Sequence, residues 1–278
     1  MSASPEGAPM SWHMPTTVDE VLRLKASKPD ATVVAGGTFL GLVIRQGLLD
    51  SDEWISLQNV DELRAFGTAG DLSAGAMVTH RRIETEPAVR RDWPGVAEAF
   101  GVVASPRVRN VATIGGVLAD ADYASDPPAM LVASRAVAEV ASVRGMRRVP
   151  IEELIVGHYE TELDDDEIIT RVLVPRPTGS AAYRKLRTRS REDRPAVSVA
   201  AVRETGGVRV VVGAVSDRPR HYPDICAEWR PGDEQSTREV AAAYADRIPC
   251  LDDGRGSAEY RRQVVSVEVR RALMQVSR

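Results

Sequence analysis

The sequence predicts an α+β fold made of two α/β subdomains followed by an antiparallel sheet with helices. Three observations predict it: residues 14–57 alternate helices and strands around a glycine turn, residues 58–177 carry short strands separated by helical pieces, and residues 178–278 place three strands before two long helices. Alternating elements favour parallel pairing, whereas consecutive strands favour an antiparallel sheet. Residues 1–13, rich in Ser, Pro, Gly and Ala, are predicted to be a disordered tail.

The N-terminal subdomain is predicted from local signals. In residues 17–28 a threonine followed three residues later by a glutamate forms a capping box, and apolar residues then recur at helical spacing. Residues 31–35 are mostly β-branched and predict a strand, which a pair of glycines ends. Apolar residues at helical spacing in 40–48 predict a second helix, and residues 54–57 supply the next strand. We expect these strands to pair in parallel.

The two later parts are predicted from shorter patterns. In the middle subdomain the strands and helical pieces are 72–78, 95–102, 127–135, 136–142 and 168–174. Residues 175–179 then indicate a linker. In the C-terminal domain two helices would cover one face of a three-stranded sheet; the strands are 182–186, 197–202 and 208–215, and the helices are 238–247 and 260–274.

Composition and charge exclude several classes of protein. Of the 278 residues, 43% are hydrophobic and 27% charged, which is typical of a folded, soluble protein. The 36 basic and 40 acidic side chains give a net charge of −4, so no overall positive field favours nucleic acid or an anionic membrane. The sequence has no membrane-spanning apolar run and no signal-peptide pattern, so a cytoplasmic location is expected. Cys226 and Cys250 are too few to ligate an iron–sulfur cluster, so a redox cofactor of this chain is expected to be organic.

The first candidate binding site is the turn Ala35-Gly36-Gly37-Thr38, where a strand ends and a helix begins. Backbone N–H groups at the start of a helix lack partners within the helix, and their partial positive charge binds phosphate without a cation. Glycine lets a phosphate approach the backbone closely. The same turn is also compatible with an ordinary tight connection between a strand and a helix, so the hypothesis needs a second motif.

The second motif is Thr113-Ile114-Gly115-Gly116, which is followed by Asp126 and by a proline pair that starts a helix. Two glycine loops in two subdomains can hold a pyrophosphate between them and orient the rest of a dinucleotide. The sequence contains neither the G-x-G-x-x-G pattern of the Rossmann fold nor the Gly-Lys-Ser/Thr of a P-loop. The two loops therefore predict a dinucleotide site of another kind.

Three motifs, in their order and at their spacing, resemble those of a known family. They are Val34-Ala35-Gly36-Gly37-Thr38 with Leu40, then Arg109-Asn110-Val111-Ala112-Thr113-Ile114-Gly115-Gly116, then Asp126-x-Pro128-Ala129. The chain resembles the FAD-binding medium subunits of the molybdenum hydroxylases, the family of xanthine dehydrogenase and carbon monoxide dehydrogenase. The resemblance covers roughly residues 14–275. It implies an FAD-binding fold of the PCMH type, like that of vanillyl-alcohol oxidase, followed by a carbon monoxide dehydrogenase flavoprotein C-terminal domain.

The resemblance also implies how FAD is held. The N–H groups of the first turn would bind the pyrophosphate, and the second turn would form the opposite clamp, with the Thr113 hydroxyl adding a contact. Asp126 would accept a hydrogen bond from a sugar or ribityl hydroxyl, and Lys185 would lie near the flavin, where its charge stabilises a reduced, anionic ring. No catalytic residue and no metal ligand is assigned. The residues implied to contact FAD are Val33, Val34, Ala35, Gly36, Gly37, Thr38, Phe39, Leu40, Val103, Ala112, Thr113, Gly115, Gly116, Val117, Asp126, Ile169 and Lys185.

Partner subunits are implied as well. In the family an iron–sulfur small subunit, fed by a molybdenum cofactor on a large subunit, passes electrons to the FAD, and NAD, oxygen or a quinone takes them up. The chain departs from the family's pattern at Val117, Tyr123 and Arg194-Pro195. These departures leave two alternatives open. One is a stand-alone FAD-dependent oxidase or dehydrogenase that acts directly on a small molecule, as a monomer or a homo-oligomer, and the other is a binding module that has lost the flavin.

Other polar clusters carry weaker signals. The aspartates in residues 120–126 lack the spacing of a calcium-binding loop, so no metal site is predicted. The alternating arginines in residues 184–194 would either dock an acidic partner or an anionic cofactor, or form a solvated charged edge of a sheet. His158 and Tyr159 would either contact the flavin or a substrate, or lie at the surface as structural residues.

Overall fold

A three-stranded parallel sheet forms the first unit of the computed structural model, which describes residues 10–277. Its elements are β1 (Ser11–His13), α1 (Val18–Ser27), β2 (Thr32–Val34), α2 (Leu40–Arg45) and β3 (Glu53–Ser56). The strand order is β1-β3-β2, and α1 packs against one face of the sheet. Thr17 Oγ1 caps α1 by accepting a hydrogen bond from the Glu20 N–H at 3.2 Å, as the capping box predicts.

Residues 11–13 belong to the sheet, so the prediction of a disordered tail over 1–13 is wrong at its end. Trp12 lies opposite Trp54 in the parallel ladder, and the two rings stack with their centroids 5.9 Å apart. A strand of three residues carries no readable period, and the strand it pairs with lies far along the chain, so sequence patterning cannot reveal it. Residues 1–9 lie outside the described residues.

The second unit is a five-stranded antiparallel sheet flanked by short helices, and a 3-10 helix, Asp61–Arg64, leads into it. Its strands are β4 (Phe66–Gly67), β5 (Leu72–Gly75), β6 (Val137–Ser142), β7 (Gly145–Pro150), β8 (Ile155–Gly157), β9 (Glu160–Thr161) and β10 (Ile168–Val174). Its helices are α3 (His80–Thr85), α4 (Pro87–Asp92), α5 (Pro94–Gly101), α6 (Pro106–Arg109), α7 (Ile114–Ala119), α8 (Pro127–Ala133) and α9 (Ile151–Leu154). The main sheet has the order β4-β5-β10-β6-β7, and β8 and β9 form a separate hairpin. Proline stands in the first turn of α4, α5, α6 and α8, where its missing N–H costs no helical hydrogen bond.

The third unit is a four-stranded antiparallel sheet covered by helices. Its elements are β11 (Ala181–Leu186), β12 (Val197–Glu204), β13 (Gly207–Gly213), β14 (Arg220–His221), α10 (Pro223–Ala227), α11 (Glu234–Arg247) and α12 (Ala258–Val276). The strands follow one another in the order β11-β12-β13-β14. Between residues 10 and 277 no helix is both long and apolar enough to cross a membrane, and the cytoplasmic location stays a prediction.

The second and third units share a hydrophobic core. Helices α11 and α12 cover one face of the third sheet, whereas Ala200, Val202 and Val211 on its other face pack with α5 and α8 of the second unit. Strand β12 is therefore buried on both faces, which explains its long apolar run. The loop between β11 and β12, residues 187–196, then runs back to the first two units, so all three units meet at one place.

Candidate cofactor site

A cavity of about 490 Å³ lies where the three units meet. Its wall is built from the first glycine turn, the start and end of α7, the segment after α5 and the β11–β12 loop. A volume in this range is typical of a site for a small molecule or a cofactor. All of the residues predicted to contact FAD line this cavity except Val34 and Lys185.

The first turn lines the cavity with backbone N–H groups that have no partner among the described residues. Gly37 adopts φ = +66°, a left-handed conformation that glycine takes without strain, and α2 begins at Leu40 without a side-chain cap. Within the described part of the chain, no acceptor is hydrogen-bonded to the backbone N–H groups of residues 36–39. Because these residues line the cavity, a row of neighbouring donors is left for a ligand there.

The second turn differs, because the N–H groups of residues 114–117 are all used inside the fold. Gly115 donates to Ala76 O at 2.9 Å, and a Cβ atom built on Gly115 would meet the Ala76 Cβ at 2.6 Å, so the packing requires glycine. Gly116 donates to Thr113 Oγ1 at 3.1 Å. Both glycines lie inside the first turn of α7, which corrects the prediction of a loop there. Thr113 is the N-cap of this helix, and accepting from Gly116 leaves its hydroxyl proton and one lone pair for a ligand.

The two turns pack directly against each other. A Cβ atom built on Gly36 would lie 1.9 Å from Val111 O, far inside van der Waals contact, so only glycine fits there. On the other side of the contact, a Cβ atom on Gly116 would lie 3.8 Å from the Ala35 Cβ. The two motifs that sequence reasoning placed around one pyrophosphate are therefore neighbours in the fold.

Two buried side chains support the wall, and sequence reasoning assigned a role to neither. Arg109 donates to the carbonyl oxygens of Val103 and Ala104 at 2.8 and 3.0 Å, which fixes the segment after α5. His80 Nε2 lies 3.2 Å from Thr113 O, and burial lowers the pKa of His80 to about 4, so the ring is neutral and Nε2 donates. The position of Arg109 at the head of the second motif is the one sequence signal for its role, and His80 has none.

Asp126 lines the cavity, but both of its carboxylate oxygens already have partners. Tyr183 donates to Oδ1 and Lys185 to Oδ2, each at 2.8 Å, and Lys185 also donates to Val102 O at 3.1 Å. Burial raises the pKa of Asp126 to about 6, although Lys185 opposes the shift. Lys185 therefore does not line the cavity, and it influences the cavity only through its ion pair with Asp126. The contact of Asp126 with a hydroxyl and of Lys185 with the flavin stay predictions.

Two further acidic residues of the wall are held in ion pairs. Arg194 Nη2 lies 2.9 Å from Asp122 Oδ2, and Arg147 donates to both oxygens of Glu167 at 2.7 Å. Burial, together with the charge of Asp122, raises the pKa of Asp120 to about 7. An anionic ligand therefore meets little net negative charge from these groups. Across the described ranges, no three His, Cys, Asp or Glu side chains are grouped so as to hold a metal ion.

The basic residues of 184–194 differ in their partners. Arg184 pairs with Glu268 of α12 at 2.6 Å, whereas Arg194 turns to the cavity wall. Among the described residues the three arginines between them form no ion pair, so both interpretations of this segment, a docking surface and a solvated charged edge, stay predictions.

An aromatic cluster borders the first turn. The Tyr159 ring stacks on that of Phe39 with 5.6 Å between centroids and 18° between planes, and His158 meets Tyr123 edge-on at 4.9 Å. Tyr159 adopts φ = +55°, which is unusual for a residue other than glycine, and its N–H donates to Ala121 O at 3.1 Å. The departure from the family's pattern at Tyr123 therefore lies in a cluster that adjoins the cavity wall.

Comparisons with known proteins cover nearly the whole chain. Residues 8–177 match the family described as FAD binding domain in molybdopterin dehydrogenase, and residues 181–276 match the CO dehydrogenase flavoprotein C-terminal domain. The chain is 34% identical over 270 residues to the nicotine 6-hydroxylase medium subunit of Paenarthrobacter nicotinovorans, and the match spans 94% of this chain and 95% of the relative. It is 28% identical over 273 residues to the carbon monoxide dehydrogenase medium chain of Hydrogenophaga pseudoflava, with 94% and 95% covered.

Two solved structures have the same fold over the same extent. Quinoline 2-oxidoreductase from Pseudomonas putida 86 superposes with a TM-score of 0.90 at 29% identity, covering 98% of each chain. Carbon monoxide dehydrogenase from Hydrogenophaga pseudoflava, in a form that lacks the Mo-pyranopterin moiety of the molybdenum cofactor, superposes with a TM-score of 0.90 at 27% identity, covering 97% of each chain. The likeness therefore includes all three units.

Proposed function

The chain belongs to the family of FAD-binding medium subunits of the molybdenum hydroxylases, and from this premise we propose that it holds FAD in the cavity that both glycine turns line and carries electrons from an iron–sulfur partner subunit to NAD, oxygen or a quinone. The observation that carries the proposal is the row of unpaired N–H donors at residues 36–39 on the cavity wall. Backbone donors arranged in this way bind phosphate groups.

The residues of the cavity fit an FAD pyrophosphate. Gly36 lets the two turns close on each other, and at Gly37 an added Cβ would meet only Val34 Cγ1, at 3.9 Å, so space is left beside the donors. The start of α2 contributes a partial positive charge at the same place. Ion pairs offset the charges of Asp122 and Glu167, which would otherwise make the cavity wall more negative for an anionic cofactor.

FAD, when bound, supplies one-electron and two-electron redox chemistry that amino-acid side chains lack. The residues of the chain would bind and orient it. In the proposal, residues 36–39 donate to the phosphate oxygens, the Thr113 hydroxyl donates a further hydrogen bond, and Val103 and Ile169 exclude water from the apolar part of the cofactor. Asp126, fixed by its pair with Lys185, would orient a hydroxyl of the cofactor.

The proposal extends to the assembly. The relatives carry the names medium subunit and medium chain, and another relative is named as a subunit of a 6-hydroxypseudooxynicotine dehydrogenase complex. The two cysteines of this chain cannot ligate an iron–sulfur cluster by themselves. We therefore propose a small subunit with iron–sulfur centres as the electron donor and a large subunit with the molybdenum cofactor as the source of the electrons.

The test of cofactor binding is the visible spectrum of the purified chain after reconstitution with FAD. We expect flavin absorption bands that remain after gel filtration, because the cofactor would be held by the backbone donors and by the closed second turn. A chain that stays colourless in excess FAD would support the alternative of a binding module without flavin.

The test of the assembly is purification from the native organism at low salt. We expect iron and molybdenum to co-purify with FAD in a fixed ratio. An isolated yellow protein that turns over a small molecule without either metal would instead support the stand-alone oxidase or dehydrogenase.

A further inference from the structure

We propose that Arg194 raises the reduction potential of the bound flavin and that Asp122 is the counter-charge that limits this effect. The inference rests on the proposed function, because it requires FAD in the cavity with its flavin ring on the side that Arg194 lines. It assigns a role to a residue at which the chain departs from the pattern of its family.

Arg194 is fixed at the cavity wall by contacts with both other units. Its Nη2 lies 2.9 Å from Asp122 Oδ2, and its guanidinium carbon lies 5.9 Å from the centroid of the Phe39 ring. The Asp122 side chain is only 2% exposed. Phe39 is held in turn by the stacked ring of Tyr159. The guanidinium, whose side chain is 40% exposed, therefore lies between a buried carboxylate and an aromatic face, and both contacts favour this position.

The backbone that carries these contacts is strained. Ala121, next to Asp122, adopts φ = +43°, and Tyr159 adopts φ = +55°. The N–H of Tyr159 donates to Ala121 O at 3.1 Å, so the two left-handed residues are joined to each other. Left-handed residues other than glycine persist where the surrounding structure fixes them, and they concentrate at functional sites. Here they direct Asp122 toward Arg194 and Tyr159 toward the first turn.

Asp122 is the carboxylate that acts directly on Arg194. Asp193, in the same loop, accepts through Oδ2 from the N–H groups of both Arg189 and Ser190, and it forms no ion pair with Arg194. Asp120 also lines the wall, but burial raises its pKa to about 7, so it carries only part of a charge at neutral pH. Among the described residues that line the cavity, Asp122 is therefore the one whose carboxylate forms an ion pair with Arg194.

Arg194 and Asp122 should shift the reduction potential of the flavin in opposite directions. Reduction adds negative charge to the ring, so a fixed cation favours the reduced form and a carboxylate disfavours it. Arg194→Met should lower the potential. Asp122→Asn should raise it, because Arg194 is then uncompensated. We expect the two variants to differ at least about tenfold in the ratio of reduced to oxidised flavin, which is about 30 mV for a two-electron couple.

The experiment uses the full chain reconstituted with FAD, and the potential is measured by spectroscopic titration against a reference dye. Arg247→Met is the matched control, because Arg247 pairs with Asp224 and lies 4.4 Å over the Tyr222 ring, away from the cavity. Its potential should equal that of the wild type. Arg194→Lys keeps the charge and should keep most of the potential. If one of the two test variants does not fold, the shift of the other decides.

Opposite shifts in R194M and D122N, with R247M unchanged, support the proposal. Shifts of the same sign, or no shift in a chain that still binds FAD, overturn it, because a merely structural pair would weaken FAD binding in both variants without moving the potential in opposite directions. A wild-type chain that binds no FAD overturns the proposed function instead.

Discussion

The first glycine turn leaves its backbone donors open to the cavity, whereas the second uses its own inside the fold. The N–H groups of residues 36–39 find no acceptor among the described residues, and the helix that follows, α2, buries none of its side chains. In the second turn the N–H groups of residues 114–117 are all bonded, and three of the six residues of α7 are buried. The comparison teaches that a glycine pair marks a close approach to the backbone, and that tertiary contacts decide whether a ligand or the protein makes it.

The largest expected effect is at Gly36, where the two turns touch. Gly36→Ala would place a methyl group 1.9 Å from Val111 O, so main chain on one side must move. We expect a loss of about 3 kcal/mol in the free energy of unfolding together with loss of FAD retention. Thermal unfolding of the apoprotein and the visible spectrum check this. Gly41→Ala, where an added Cβ meets nothing within 4 Å, should bind FAD normally. If the G36A variant is as stable as the wild type, the direct contact between the two turns is wrong.

The next effect distinguishes binding from packing within the first turn. Gly37→Val should leave a folded chain that binds FAD at least about a hundredfold more weakly, because the branched side chain enters the space beside the donors. Gly47→Val is the matched control, since Gly47 adopts φ = +67° against +66° for Gly37 and does not line the cavity. Both variants carry the same backbone strain, about 1–2 kcal/mol. FAD affinities are measured by fluorescence titration. Equal affinities of the two variants would show that the phosphates bind elsewhere.

A smaller effect is expected at the cap of the second turn. Thr113→Val removes the oxygen that accepts from the Gly116 N–H. The loss should be about 1 kcal/mol of stability, with FAD affinity reduced only a few-fold, because this turn supports the site and supplies at most one hydroxyl proton. Thr113→Ser keeps the hydroxyl and should restore both values. A hundredfold loss of FAD affinity in T113V would show that the second turn binds the phosphate as strongly as the first.

The smallest expected effect is the pH dependence of stability and of FAD affinity that arises from Asp120 in the cavity wall. Burial and Asp122 raise the pKa of Asp120 from 3.8 to about 7, so the folded chain keeps a proton that the unfolded chain releases. The stability that this proton contributes is full below about pH 4 and is lost as the pH rises through about 7. Ionisation also adds negative charge near the FAD phosphates, so affinity should fall a few-fold from about pH 6 to about pH 8.

Asp120→Asn should reduce both pH dependences, because its side chain cannot ionise. Unfolding temperature and FAD affinity across this range are the measurements, and the exposed Asp165→Asn is the control. An unchanged pH profile in D120N would assign the titration to another group.

Local patterns were sufficient for the longer elements of the fold. The apolar run over 168–174 predicts β10 with its observed bounds, and the predicted 260–274 falls inside α12. The parallel pairing expected in the first unit is confirmed between β2 and β3. Six strands were not predicted. Five of them, β1, β4, β8, β9 and β14, have only two or three residues and are too short for a period, and β7 is an exposed, basic edge strand.

The candidate site was predictable only where the backbone geometry requires particular residues in the local sequence. Glycine pairs meet this condition, so both turns could be found, although the burial of Gly115 against the sheet could not. The roles of Arg109, His80 and Arg194 depend on segments that only the tertiary structure brings together. The same holds for Asp126, whose partners Tyr183 and Lys185 come from another unit. The family resemblance identifies Asp126 as a site residue, but it does not reveal that both carboxylate oxygens are already hydrogen-bonded.

Because β12 has one hydrophobic layer on each side, the C-terminal part of the chain is not a detachable module. A truncation after residue 177 would leave the outer surfaces of α5 and α8 bare, and an apolar surface of that kind invites aggregation. A shortened version of this protein designed to bind flavin should therefore retain residues 181–276, because their sheet completes the hydrophobic core of the second unit.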